Sequence, residues 1–273
     1  MRASLTGLCL ALGLMLGVAP VHAERVLVLG GSVTEIVYDL GQGSRLVAGD
    51  DSSIYPQAAL KLPRVGYYRS VPLEGVVAMH PDLVLASENA GPPKTIARLR
   101  QLGVNLKVVS DSPSIESLYK RIEQIATELQ VPQEGARLMA KVREEVASVQ
   151  ALDSPSRRAV VLLNRAGPFM AAGGDTAANA VLALAGLQNA LDAQEGYKPI
   201  SAEGLAALAP DMIIISKASL QASGGMDQFM AGAGVAITPA ARAGRVMAMD
   251  DLLILGVGPR VAQAIQQLKV AAR

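Results

Sequence analysis

The 273-residue sequence has no tryptophan, two phenylalanines, one cysteine and two histidines. A lone cysteine, Cys9, excludes an internal disulfide, and so few histidines exclude the zinc, copper and manganese centres that rest on several imidazoles or thiolates. No phosphate-binding Gly-x-x-x-x-Gly-Lys-Ser/Thr loop is present, and no Gly-x-Gly-x-x-Gly follows a strand, so nucleotide cofactors have no support. Gly30-Gly31-Ser32-Val33-Thr34 matches only the front of a nucleophile elbow. A Ser-His-Asp triad would have to use His80, which reads as a solvated turn residue close to Asp82. Catalysis is poorly served, and the expectation is a protein that is not an enzyme.

What is present begins with a leader. Residues 1–23 read as a signal peptide, with Arg2, the apolar run Leu8 to Val18, and the small-residue exit Val21-His22-Ala23. Cys9 opens the apolar run instead of following it, which favours free export over lipid anchoring. Cys9 and His22 leave with this segment, so the exported chain holds together by packing alone. The leader carries one of the 25 basic residues and none of the 24 acidic ones, so the remainder is balanced. A neutral chain argues against nucleic acid and anionic membranes as partners, and no later apolar run is long enough for membrane insertion. The remaining ~250 residues suffice for one large domain or two lobes of roughly 100 to 150 residues each.

The pattern favours two lobes. The first half predicts strands at Arg25–Leu29, Leu83–Ala86 and Asn105–Val109, with helices from Ser32 to Leu40 and from Pro92 to Leu102. Ser32 and Glu35 have the spacing of a capping box. The second half predicts strands Ala159–Leu163, Met212–Ile215 and Arg245–Met249, with helices Thr176–Ala185 and Pro259–Leu268. Between them, Ile115 to Leu152 reads as helical with a break at Val131-Pro132, and Met139, Val142, Val146 and Val149 mark one apolar stripe. The fold class is therefore α/β: two Rossmann-like lobes, residues 24–114 and 153–273, joined by the helical segment 115–152 that acts as a strut beside a ligand cleft.

The halves share a repeat. Gly66-Tyr67, Glu74-Gly75 and Pro81-Asp82 return as Gly196-Tyr197, Glu203-Gly204 and Pro210-Asp211. Each lobe thus places an acidic residue at the start of a helix that precedes a core strand.

In a chain so poor in thiol and imidazole, a hard cation has to be held by oxygen. Gly66-Tyr67-Tyr68-Arg69 offers two phenols and a guanidinium together. A phenol has a pKa near 10 and binds metal well where a neighbouring positive charge favours the phenolate. In an extended loop Tyr67 and Arg69 would share one side. Tyrosinate is a known axial ligand of ferric haem. The ordinary alternative is a pair of half-buried aromatics beside a surface charge.

The setting decides between these. Val65-Gly66-Tyr67-Tyr68-Arg69 through Leu73-Glu74-Gly75 to Pro81-Asp82, together with Gly31-Ser32-Val33-Thr34-Glu35, Ala172-Gly173, Gly196-Tyr197-Lys198-Pro199 and Gly256-Val257-Gly258-Pro259-Arg260, resembles the haem-binding branch of the rigid two-lobed periplasmic binding proteins of ABC importers. The resemblance implies that Tyr67 ligates haem iron and Arg69 supports it, and that Glu74 and Glu203 dock the membrane permease. Lys198, Arg165, Arg69 and the helix start behind Gly174-Asp175-Thr176 are candidates to meet the haem propionates. Every residue after His80 is something other than histidine, so the far face of the iron is expected to be open, filled by water or touched by Met170, with one haem on a monomer. The related alternative is a binding protein for a ferric siderophore or cobalamin, which does not require the Tyr67/Arg69 pair. Rivals of other classes are an exported enzyme, which lacks a nucleophile and base, and an adhesion module, which needs no cleft.

Overall fold

The computed structural model describes residues 24–164 and 167–273, so the leader and Arg165 lie outside the described residues. Val26–Leu29 (β1), Leu46–Gly49 (β2), Leu83–Ser87 (β3) and Leu106–Val109 (β4) form a parallel sheet in the order β2-β1-β3-β4. A second sheet contains Arg158–Leu163 (β5), Met170–Ala172 (β6), Gln188–Asn189 (β7), Tyr197–Pro199 (β8), Met212–Ser216 (β9) and Val246–Met249 (β10). Its order is β10-β9-β5-β6-β8, with β7 also on β5. Here β6 pairs antiparallel with both β5 and β8, while the other strand pairs of this sheet are parallel. Strands β6 and β8 are too short to show a periodic pattern, and Gly173 and Pro199 bound them with turn chemistry.

The helices used below are Gly31–Asp39 (α1), Leu73–Ala78 (α2), Pro93–Gln101 (α3), Ile115–Glu128 (α4), Pro132–Gln150 (α5), Ala177–Leu184 (α6), Ala202–Leu208 (α7) and the final helix Val261–Ala271. The central strands are buried on both faces: Val26 and Val28 enter one apolar cluster while Leu27 and Leu29 enter another. Val161 and Ile214 likewise oppose Val160 and Ile213. Two-sided burial is the reason such strands read as unbroken apolar runs.

One cluster spans both sheets. It joins Val26 and Leu85 to Val161 and Ile214 through Ile122 and Ile125 of α4, Val142 and Val146 of α5, and Ile265 and Leu268 of the final helix. The long helix is therefore no free strut; it belongs to a helical layer shared by the two sheets. Its buried stripe is Leu138, Val142 and Val146, with Met139 and Val149 half-buried beside them. Burying each such side chain favours packing by about 1.5 to 3 kcal/mol, more than a helix standing in water can forgo. Lys269 closes the arrangement, its ammonium donating to the Gln150 and Leu152 carbonyls at 2.9 and 2.7 Å at the end of α5.

Two local expectations are corrected. Gly30, not Ser32, is the N-cap of α1, and no side chain caps that helix. The final helix begins at Val261 with Arg260 as its cap, so Pro259 precedes the helix. Both corrections have one cause: Ser32, Glu35 and Arg260 are engaged with partners distant in sequence.

Candidate functional site: a tyrosine loop at the strand ends

In a parallel sheet the carboxyl ends of the strands collect loops where ligands bind. At this end of the first sheet lies Asp50, fully buried. Its carboxylate accepts from the Gly30 and Ser52 amides at 3.0 Å, from the Ser52 hydroxyl at 2.8 Å, from the Ser53 hydroxyl at 3.0 Å and from the Tyr68 amide at 3.2 Å. Hydrogen bonds to an ionised acceptor are the stronger kind, so Asp50 fastens the Tyr68 backbone to the ends of β1 and β2.

Further backbone bonds complete the mount. Asp51 N–H donates to the Gly66 carbonyl at 2.9 Å, Gly91 N–H to the Tyr68 carbonyl at 2.9 Å, and Val71 N–H to the Gly91 carbonyl at 2.7 Å. Gly66 sits at φ 88, and a Cβ there would meet Pro72 Cδ at 3.0 Å, so the turn that launches the tyrosines calls for glycine.

Tyr67 is extended and half-buried, while Tyr68–Ser70 forms a turn of 3-10 helix. The extended spacing expected for Tyr67 and Arg69 is thus corrected. Arg69 Nε donates to the Tyr68 phenol oxygen at 3.0 Å, and the guanidinium is also hydrogen-bonded to Tyr67. The two rings meet edge to face with centroids 5.0 Å apart. Desolvation opposes the Arg69 charge, but the phenols of Tyr68 and Tyr67 outweigh it and hold its pKa above the ordinary value. Burial pushes the Tyr68 phenol up, so it stays neutral.

Below the loop, Arg121 is fully buried. Its Nη2 faces Asp111 Oδ1 at 2.8 Å, Nη1 donates to the Ser32 hydroxyl and, at 3.1 Å, to the Val257 carbonyl, and Nε donates to the Ser110 carbonyl. Asp111 also accepts from the Ser87 hydroxyl at 2.6 Å. Glu35, 2% exposed, takes Arg260 in a two-pronged pair at 2.9 and 3.1 Å, and that guanidinium lies 3.5 Å over the Tyr55 ring. Arg121 and Arg260 thereby pin the segment Gly256 to Arg260 to the first lobe.

The other expected residues are scattered. Glu74 and Glu203 are exposed, each in the first turn of its helix, α2 and α7. Ser201 caps α7, and hydrogen bonds with the Glu203 backbone and the Ser201 hydroxyl hold the Glu203 carboxyl below its usual range. Lys198 is exposed on the edge strand β8, and its ammonium makes no hydrogen bond or ion pair among the described residues. The Gly173-Gly174 pair is explained by close packing, since a Cβ on Gly173 would lie 1.7 Å from the Gln194 carbonyl oxygen. Thr176 caps α6 and its hydroxyl is committed to Gly173 O. A groove of about 750 Å³ between α5 and the final helix, lined by Asp39, Tyr55, Lys141, Glu145 and Arg260, contains none of the expected ligand residues. Among the described residues no group of three His, Cys, Asp or Glu side chains could hold a metal ion.

Sequence reasoning did not find Asp50, Asp111, Arg121 or the Glu35–Arg260 pair. Only Asp50 had a local signal, the Asp-Asp-Ser-Ser run after an apolar strand.

The family model described as periplasmic binding protein matches residues 26–253. The chain belongs to the periplasmic binding protein family. Members of this family are binding proteins that deliver a ligand to an ABC importer. The chain is similar to the periplasmic heme-binding protein RhuT from Roseiflexus sp. RS-1 in apo form, with 38% identity, a TM-score of 0.86 and coverage of 91% of this chain and 97% of that one. It is similar to the periplasmic heme-binding protein BhuT in complex with two hemes, with 37% identity, a TM-score of 0.85 and the same coverage. The vitamin B12-binding protein of Vibrio vulnificus (strain YJ016) is 30% identical over 227 residues, 82% of each chain. The structural neighbours within the family are periplasmic, and no helix among the described residues is long and apolar enough to cross a membrane.

Proposed function

We propose that this protein is exported to the periplasm, captures ferric haem and delivers it to an ABC permease, with no catalytic step. The observation that carries the reading is the tyrosine loop: Tyr67 presented at the strand ends, joined to Arg69 and mounted on buried Asp50. Tyr67 is the proposed iron ligand and Arg69 the cation that faces it; Lys198 and Arg165 are the proposed partners of the propionates. Glu74 and Glu203 are the proposed permease contacts, and residues 24–114, 115–152 and 153–273 the proposed first lobe, connecting segment and second lobe. Similarity at 38% identity to a heme-binding RhuT supports haem as the cargo.

A second reading, cobalamin as cargo, is favoured by similarity to the Vibrio vulnificus B12-binding protein. Titration of the purified apo protein with haemin and with cyanocobalamin separates the two. A high-spin ferric tyrosinate spectrum at one haem per chain is the expected result. Unchanged free-haemin absorbance overturns it, and binding of cyanocobalamin alone establishes the second reading.

A further inference from the structure

Tyr68 is the most firmly mounted residue of the loop. Its amide donates to buried Asp50 at 3.2 Å and its carbonyl accepts from Gly91 at 2.9 Å, so the backbone is held on both sides. Its ring is packed edge to face against Tyr67, and its oxygen takes Arg69 Nε at 3.0 Å. The Arg69 guanidinium carbon also lies 5.1 Å from the Tyr68 ring centroid. Arg69 itself is exposed, and a long exposed side chain left alone samples many rotamers. Nε is a single donor of the planar fork, so fixing it aims the remaining four donors together.

We infer that Tyr68 is a positioning residue: its phenol oxygen holds the Arg69 guanidinium against Tyr67 before cargo arrives and so lengthens the residence of the cargo. The inference rests on the haem reading. Ordering the arginine in advance removes a cost that binding would otherwise bear, and the gain appears in the dissociation rate. The hydroxyl matters through Arg69; the ring matters through packing alone.

Tyr68→Phe separates them, because it keeps the ring against Tyr67 and removes one oxygen. With haem dissociation followed by transfer to excess apomyoglobin, Tyr68→Phe is expected to bind haemin one-to-one and release it about tenfold faster or more, the loss of one hydrogen bond from a charged donor. The tyrosinate-to-iron charge-transfer band is expected to shift as well. Arg69→Met should accelerate release at least as much, and adding Tyr68→Phe to it should change nothing further. Release at the unsubstituted rate from Tyr68→Phe overturns the inference. A Tyr68→Phe effect that persists undiminished in the Arg69→Met background also overturns it, since a purely structural role of the hydroxyl would survive there. Failure of the unsubstituted protein to bind haemin is a different outcome, which removes the haem reading and this inference together.

Discussion

The two lobes are alike at their base and unlike at their mouth. At the base, Asp82 accepts from the Arg25 amide at 2.8 Å, and Asp211 accepts from the Arg158 amide at 3.2 Å. Each arginine then donates to the end of the preceding helix: Arg25 to the Met79 and His80 carbonyls, Arg158 to the Leu208 carbonyl. His80 and Ala209, one residue ahead of the repeated prolines, both sit at φ 45. The Pro-Asp repeat is therefore a clamp between a helix end and the start of β1 or β5. At the mouth the repeat diverges. After Gly66 the chain enters a 3-10 turn fastened to Asp50, whereas after Gly196 it enters β8, with Lys198 opposite Ala171 in the ladder. Backbone taken into a ladder cannot also form a presented loop, so among the described residues Tyr67 leads into a turn while Tyr197 lies in a strand.

Three comparisons between the lobes sharpen or break this account. The largest effect is expected from Tyr67→Ala, which abolishes the tyrosinate spectrum of the haem complex, while Tyr197→Ala retains it; loss of the spectrum in both variants would assign iron to both lobes. Next are the carboxylates proposed to dock the permease. Glu74→Ala and Glu203→Ala are each expected to lower haem transport about tenfold or more with haem affinity unchanged, as removal of one partner of a charge pair does. Normal uptake by the double variant would leave these residues as simple first-turn acids. The smallest effect concerns the clamps. Asp82→Ala and Asp211→Ala are each expected to cost about 1 kcal/mol in urea melts, because the hydrogen bonds are charge-assisted but exposed to water. A cost confined to one lobe would break the equivalence.

Much of this was legible in the chain. The central strands were visible because burial on both faces forces unbroken apolar runs such as Leu83–Ser87 and Met212–Ser216. The tyrosine loop was visible because Gly66, Tyr67 and Arg69 are neighbours. Strand β2 was missed, being four residues ending in Ala48 and Gly49. The capping-box reading of Ser32 and Glu35 failed for another reason. Their spacing met the local rule, but Ser32 is used by Arg121, 89 residues away, and Glu35 by Arg260, 225 residues away.

Sequence alone determined the α/β class and the internal repeat, because these depend on composition and on residues a few positions apart. Tertiary structure decided which side chains act together. Asp50 reaches Tyr68 across 18 residues, and Arg121 reaches Val257 across 136. It also decided that Arg69 binds the phenol next to it as well as the one before. Such pairings are set by where strand ends converge in space, and a one-dimensional pattern carries no record of that convergence.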